Sequence, residues 1–347
     1  ETVGTGIPRI DFLGNTNGSL LLEPQRTNNL LQSNQFDTTW SLSGATLTSG
    51  QIGVGGSNDA WILEKNISNG RVFQNLTSSG IQTFSVYAKS GTNNWVSLLI
   101  NGGGNPTAYF DLQNGVVGNA SGGVITSNIE SAGNGWYKIS ITFNESITRT
   151  RIYVADSNGN TSQTSGNIYI QYAQLEAGSY PTSYIPTQGS TVTRVKDACL
   201  GAGNDQVINS TEGVLYVETQ ALVDNGLTRY LSLTDGTSSN RMSIVFGATT
   251  NQIRFLVYNG VVQADIQTFS YSQTAMNKIA FRYSQNNFSL WINGVKIGDD
   301  LIGDVFTLNT LAFDLGNNSL NWNGNTKDVR VYNTALTDAE LQALTTI

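Results

Sequence analysis

Through most of this chain apolar residues recur at every second position, the period of a β-strand with one buried face. Phe84, Val86 and Ala88 share one side of a predicted strand, and Val96, Leu98 and Ile100 share one side of the next. Ala108, Phe110 and Leu112 lead into Asn114-Gly115, a dipeptide that tolerates the positive φ a tight hairpin turn requires, and Val116-Val117 returns. Tyr137, Ile139, Ile141 and Phe143 make a further inward row, followed by Ile152 and Val154, a turn at Asp156-Ser157-Asn158-Gly159, and Ile168 with Ile170. Short strands broken by turns at this spacing predict a jelly-roll β-sandwich over residues 27–177.

The alternation resumes after residue 195. Leu215 and Val217, Leu231 and Leu233, Met242, Ile244 and Phe246, Ile253, Phe255 and Val257, Ile279, Phe281 and Tyr283, and Phe288, Leu290 and Ile292 are successive strand faces. Asp235-Gly236, Asn259-Gly260 and Asn293-Gly294 punctuate them as turns, so a second sandwich is predicted over residues 195–347. Near its end Thr337-Asp338-Ala339-Glu340 is a capping box, and Leu336 and Leu341 stand at hydrophobic-staple spacing, which predicts a short helix beginning at Asp338.

Between the two lies residues 178–194, where Pro181 and Pro186 remove backbone donors and push Tyr180 and Ile185 into extended geometry. Tyr180, Tyr184 and Ile185 are too apolar for a free tether, so this connector is expected to be laid down on a neighbouring surface. In residues 1–26, Ile10-Asp11-Phe12 and Leu20-Leu21-Leu22 flank the turn formers from Gly14 to Gly18, a hairpin expected to lean on a domain or on another subunit because alone it is marginal. The fold class is therefore all-β: two β-sandwiches in tandem, a short N-terminal β segment and a short C-terminal helix.

Composition narrows the chemistry. The length of 347 residues suits two domains, and 37 Gly with only 12% charged residues fits a turn-rich globular chain. No run of apolar residues is long enough to span a bilayer, so membrane insertion is not expected. The net charge is −7 and no Lys/Arg cluster stands out, which argues against nucleic acid as a partner. There is no His, so Ser-His-Asp, Cys-His and zinc-protease constellations are excluded, and the single Cys199 excludes an intrachain disulfide. Gly102-Gly103-Gly104 has no following Lys-Ser/Thr and reads as a turn. The densest acidic group is Asp299, Asp300 and Asp304, beyond the Asn293-Gly294 hairpin. Oxygen ligands there could hold a structural calcium, the one cofactor considered; the alternative is a solvated turn.

Four stretches carry a resemblance. The connector with its approach, AQLEAGSYPTSYIPTQGSTVTR, resembles a junction that recurs in phage tail, fibre and other virion-associated proteins, where it follows a domain similar to the jelly-roll carbohydrate-binding modules of xylanases. The opening GIPRIDFLGNTNGSLLLEPQRTNNLLQSNQFDTTW is similar to the segment preceding such a domain. FSLWINGVKI at 288–297 and KDVRVYNTALTDAELQAL at 327–344 resemble the laminin G-like or concanavalin A-like lectin and glucanase fold. The resemblance implies a virion component, a fibre or appendage that binds host-surface carbohydrate, contacts other virion proteins and forms a homotrimer through segments like the N-terminal one. Glucanases of that fold carry clustered acids as Glu-x-Asp-x-x-Glu, a pattern absent here, so no enzyme is expected. A polysaccharide-degrading enzyme with a binding module and a purely structural virion decoration remain as alternatives.

Strand phase nominates the sugar contacts. The inward rows of the first sandwich leave Tyr87, Trp95, Tyr109, Trp136 and Tyr153 on nominally polar faces, beside Asp111 and Lys138. Pyranose rings stack their C–H patches on aromatic faces while polar neighbours bind hydroxyls. Trp95 and Tyr109 lead the set because the loop Asn101 to Asn105 joins their strands, and Trp322, between Asn321 and Asn323, is the comparable residue of the second half. The competing reading is packing, with the row covered by the connector's Tyr180 and Tyr184, by the N-terminal segment or by the other domain, and with Trp322 in a core.

Overall fold

The computed structural model describes residues 7–12 and 17–347; most of the turn expected between Gly14 and Gly18 lies outside the described residues. The chain forms two units, Gln25–Val195 and a second made of Lys196–Ile347 with the N-terminal segment that ends at Pro24. No helix among the described residues is long and apolar enough to cross a membrane.

The N-terminal segment contributes β1 (Ile10–Asp11) and β2 (Ser19–Leu22). The first unit then runs β3 (Arg26–Asn28), β4 (Ser41–Ser43), β5 (Ala45–Gln51), β6 (Ala60–Lys65), β7 (Arg71–Ser78), β8 (Ile81–Ser90) and β9 (Trp95–Gly102). It continues with β10 (Thr107–Asp111), β11 (Val116–Ser121), β12 (Val124–Gly133), β13 (Trp136–Asn144), β14 (Ile147–Ala155), β15 (Gly166–Ala177) and β16 (Val192–Arg194). These make two antiparallel six-stranded sheets, ordered β11-β10-β9-β14-β7-β4 and β12-β13-β8-β15-β6-β5, and a ribbon of β3 with β16. The rows read from the sequence meet in one core: Phe84, Val86 and Ala88 of one sheet and Val96, Leu98 and Ile100 of the other are all fully buried. Because side chains alternate, every residue between them is turned to an outer face.

The connector belongs wholly to this unit. Glu176, fully buried, accepts hydrogen bonds from the Thr182 backbone N–H at 2.8 Å and the Thr182 hydroxyl at 2.6 Å. Gln174 Oε1 accepts from Ile185 N at 2.7 Å, and the Thr187 hydroxyl donates to Leu30 O at 2.7 Å, so donors and acceptors that the prolines leave unladdered find side-chain partners. Beyond it β16 pairs with β3, placing Arg194 opposite Arg26.

The second unit holds β17 (Glu212–Ala221), β18 (Arg229–Thr234), β19 (Asn240–Phe246), β20 (Ile253–Asn259), β21 (Val262–Thr268) and β22 (Asn277–Ser284). There follow β23 (Asn287–Ile292), β24 (Val295–Asp300), β25 (Thr310–Ala312), β26 (Gly324–Tyr332) and α1 (Asp338–Thr345). The sheets are ordered β1-β2-β26-β17-β22-β23-β24 and β21-β20-β19-β18-β25, with Phe255 of one stacked on Phe281 of the other at 4.2 Å. The capping box forms as read: the Thr337 side chain accepts from Glu340 N, and the Glu340 carboxylate accepts from Thr337 N. Leu341 is buried against Val214, Tyr216, Ala280 and Trp291.

The N-terminal segment leans on a domain, the first of the two supports expected for it: β2 pairs with β26, Leu22 joins the second unit's core, and Arg9 bridges Glu23 and Asp197. Three apolar residues in a row give β2 a buried strand's composition, and β26 supplies its missing neighbour.

Candidate functional site

Strand register assembles one outer face of the first unit from four strands. Tyr109 of β10 stands opposite Ser97 of β9, Ser97 opposite Tyr153 of β14, and Tyr153 opposite Arg71 of β7. The next row is Thr107, Leu99, Arg151 and Phe73, and beyond it Asn101, Arg149 and Asn75 are aligned. At the other end Trp95 of β9 lies over Gly118, where a Cβ would come within 2.7 Å of the indole Cζ3, so the ring's seat requires glycine.

Rings and guanidinium groups on this face hold one another. The Arg149 guanidinium sits 4.4 Å from the Phe73 ring centroid, and that of Arg71 sits 5.4 Å from the Tyr153 ring. Arg149 Nε donates to Asn75 Oδ1 at 2.6 Å; Arg151 donates to Asn101 Oδ1 at 2.8 Å and to the Tyr153 hydroxyl at 3.2 Å. Burial pushes the Tyr109 phenol above its ordinary value, against a hydrogen bond from Ser97 that lowers it. Trp95, Tyr109, Phe73 and the three arginines are half-buried, so each presents one side outward. Such a surface offers flat apolar area for a sugar ring, with fixed amide and guanidinium donors at its edge.

The residues nominated from sequence are divided by the fold. Trp95 and Tyr109 are on this face. Asp111 is not available to a hydroxyl: it is 8% exposed and its carboxylate accepts from Gln113 N, Asn114 N and Asn114 Nδ2 at 2.9, 3.2 and 2.8 Å, closing the hairpin turn. Tyr87 and Trp136 lie on the opposite sheet, in β8 and β13. There the connector covers the surface, with Tyr184 stacked on Tyr172 at 4.3 Å, Tyr172 edge-on to Tyr87 at 5.7 Å, and Lys138 Nζ donating to Thr182 O at 2.7 Å. Trp136 is 1% exposed beside Tyr169 and is a packing residue. Trp322 is fully buried in the second unit's core, edge-on to Phe246 at 4.6 Å.

The three acids do not converge. Asp299 meets Lys296 at 2.5 Å and Arg282 at 3.9 Å, Asp300 accepts from Ile302 N, and Asp304 accepts from Gln285 Nε2. Adjacent residues of a strand point to opposite faces, which separates Asp299 from Asp300. Among the described residues no group of three His, Cys, Asp or Glu side chains is placed to hold a metal ion.

Arg71, Phe73 and Arg149 were missed by sequence reasoning, which weighed aromatic residues by the buried rows it had recognised and did not trace the β7 row. The signal was there: in Arg71-Val72-Phe73-Gln74-Asn75, Val72 and Gln74 face inward, leaving Arg71, Phe73 and Asn75 outside. The second unit has a smaller counterpart on its five-stranded sheet, where Arg241 lies between Tyr258 at 4.5 Å and Tyr230 at 5.8 Å. Arg254 there is closed by Asp265 at 2.5 Å.

A family model described as the concanavalin A-like lectin/glucanases superfamily matches residues 216–342. No curated protein matches the chain. Among solved structures, the CBM40 of Ruminococcus gnavus IT-sialidase bound to α2,3-sialyllactose is 18% identical, covering 44% of this chain and 97% of that one with a TM-score of 0.35. Domains LG4–5 of the mouse laminin α1 chain are 9% identical over 97% of this chain and 96% of that one, with a TM-score of 0.28. Trypanosoma rangeli sialidase in complex with sialic acid is 10% identical over 95% and 68%, with a TM-score of 0.31. At such identities and scores nothing about ligand or activity transfers. The family match over residues 216–342 takes in FSLWINGVKI and the closing strand and helix, the stretches that resemble the same fold in the sequence.

Proposed function

We propose that this chain is a non-catalytic glycan-binding protein and that the outer face built by β10, β9, β14 and β7 is where sugar docks. The observation that carries this reading is the alignment of the half-buried Trp95, Tyr109 and Phe73 with Asn75, Asn101 and three arginines on one sheet face. A saccharide bound there would lay its C–H faces on the rings and take hydrogen bonds from amide and guanidinium groups already held in place. Glycoside hydrolysis needs two carboxylates on either side of the bond to be cut. The carboxylates at the two ends of this face serve turns instead, Asp111 as described and Glu145 by accepting from Gly104 N at 2.9 Å.

The biological setting we propose is a phage virion, the chain serving as a fibre or appendage that attaches to host-surface carbohydrate. Support comes from the Gly178–Arg194 junction and the opening segment, whose wording resembles that of virion-associated proteins. Other virion proteins, or a homotrimer, would be met along the edge strand β1, where Ile7, Ile10 and Phe12 are exposed. A glycan array run beside a reducing-end assay tests the function: binding without new ends is expected, release of ends would make the protein an enzyme, and silence in both would leave a decoration. Mass spectrometry of purified virions tests the setting, and light scattering the trimer.

A further inference from the structure

We infer that the saccharide read by this face is acidic, a glycan carrying carboxylate groups that dock on Arg71, Arg149 and Arg151. The inference rests on the glycan reading of the same face and adds the ligand's charge. In this chain of net charge −7, many cations elsewhere meet carboxylates, among them Arg26 with Glu176, Lys65 with Asp156, Arg254 with Asp265, Arg282 with Asp338, Lys327 with Glu218 and Arg330 with Asp328, while Lys196, Lys278 and Arg241 stand singly on neutral acceptors. Among the described residues none of Arg71, Arg149 and Arg151 has an acidic partner within ion-pair distance. Their acceptors are neutral: Asn69 O for Arg71, Asn75 Oδ1 for Arg149, Asn101 Oδ1 and the Tyr153 hydroxyl for Arg151.

Register puts Arg151 diagonal to Arg71 across the β14–β7 ladder, and Arg149 lies one side-chain repeat further along the same face of β14. Like charges so grouped repel unless something negative joins them. The Nε–H groups of Arg71 and Arg151 are buried with no acceptor, so part of the donor capacity is both desolvated and unused. A planar guanidinium seated on a ring keeps its remaining N–H edge free for the paired oxygens of a carboxylate, a match a neutral hydroxyl cannot make. The flanking rings then select a carboxylate borne on a sugar over a free anion.

The test is binding of the full chain, by calorimetry, to polygalacturonate, to the same polymer after chemical reduction of its carboxyl groups, and to a neutral xylan. The acidic polymer is expected to bind at least tenfold more tightly than its reduced form, with affinity falling as salt is raised. Arg71→Gln combined with Arg151→Gln should abolish that preference while the melting temperature stays near that of the parent. Equal affinity for the native and reduced polymers, with binding still lost in Trp95→Ala, would overturn the acidic ligand and leave the glycan reading standing. Binding to none of the three polymers, nor to any glycan on an array, would remove both. Retention of the acidic preference by the double variant would overturn the assignment to these arginines.

Discussion

Trp95 and Trp322 both stand next to asparagine in the sequence, yet the fold assigns them opposite tasks. Trp95 opens a strand whose alternation fixes its face, half-exposed over Gly118, whereas Trp322 precedes β26 and is sealed against Phe246. Trp322→Ala should therefore cost about 3–5 kcal/mol of the second unit's stability, the usual result of emptying a buried aromatic site. Trp95→Ala should cost under about 1 kcal/mol of stability and weaken glycan binding at least tenfold. Thermal melts with binding titrations of both variants check this; equal losses of stability would place Trp95 in the packing. Periodicity could sort Trp95 because it lies within a row. It could not sort Trp322, a loop residue buried by a partner remote in sequence. Asp111 was misjudged for a related reason: strand phase tells which face a side chain starts from, but the Asn114-Gly115 hairpin that the sequence announced also needs a side-chain acceptor, and Asp111 supplies it.

At the scale of elements, the rows of β8, β9, β13 and β14 and the capping box of α1 were legible because each is a short-range pattern. The pairing of β2 with β26 was not, since three consecutive leucines specify burial without naming a partner. The connector shows local sequence and tertiary contact acting together: prolines forbid a regular ladder, and Gln174, Glu176, Ser33 and Tyr184 replace it with side-chain bonds. That construction has a pH signature. Burial pushes the Tyr184 phenol up to about 12, although a hydrogen bond from Ser33 acts to lower it. A phenol with a raised folded-state value binds its proton longer folded than unfolded, so its contribution is complete below the ordinary tyrosine value near 10 and is lost as pH rises through about 12. The first unit's stability should accordingly fall between those limits, and Tyr184→Phe should flatten that fall while costing about 1 kcal/mol at neutral pH through loss of the 2.5 Å Ser33 bond. Denaturant titrations across alkaline pH, followed by tyrosinate absorbance, would show it; an unchanged slope in the variant would mean that the buried Tyr184 phenol is not the source of the alkaline loss.

For the whole molecule, the chain enters and leaves the first unit at neighbouring points. Arg26 and Arg194 are register partners at its two ends, and in the second unit Asp197 N donates to Glu23 O at 2.9 Å across the same interruption. The first unit is thus an insert, spliced into the second just after the strand that later closes on β26. A ribosome would release the insert complete while the carrier still waited for its last strand, so the two should fold in the reverse of the order in which they begin. Each should also survive separation. Residues 25–195 made alone, and a chain joining Pro24 to Lys196 through a short glycine-serine linker, are both expected to melt cooperatively, the spliced carrier lacking the arginine face altogether; failure of the spliced chain to fold would show that the insert scaffolds its host. If both fold, the module bearing the proposed sugar face is a cassette, exchangeable at one seam without redesign of the body that carries it.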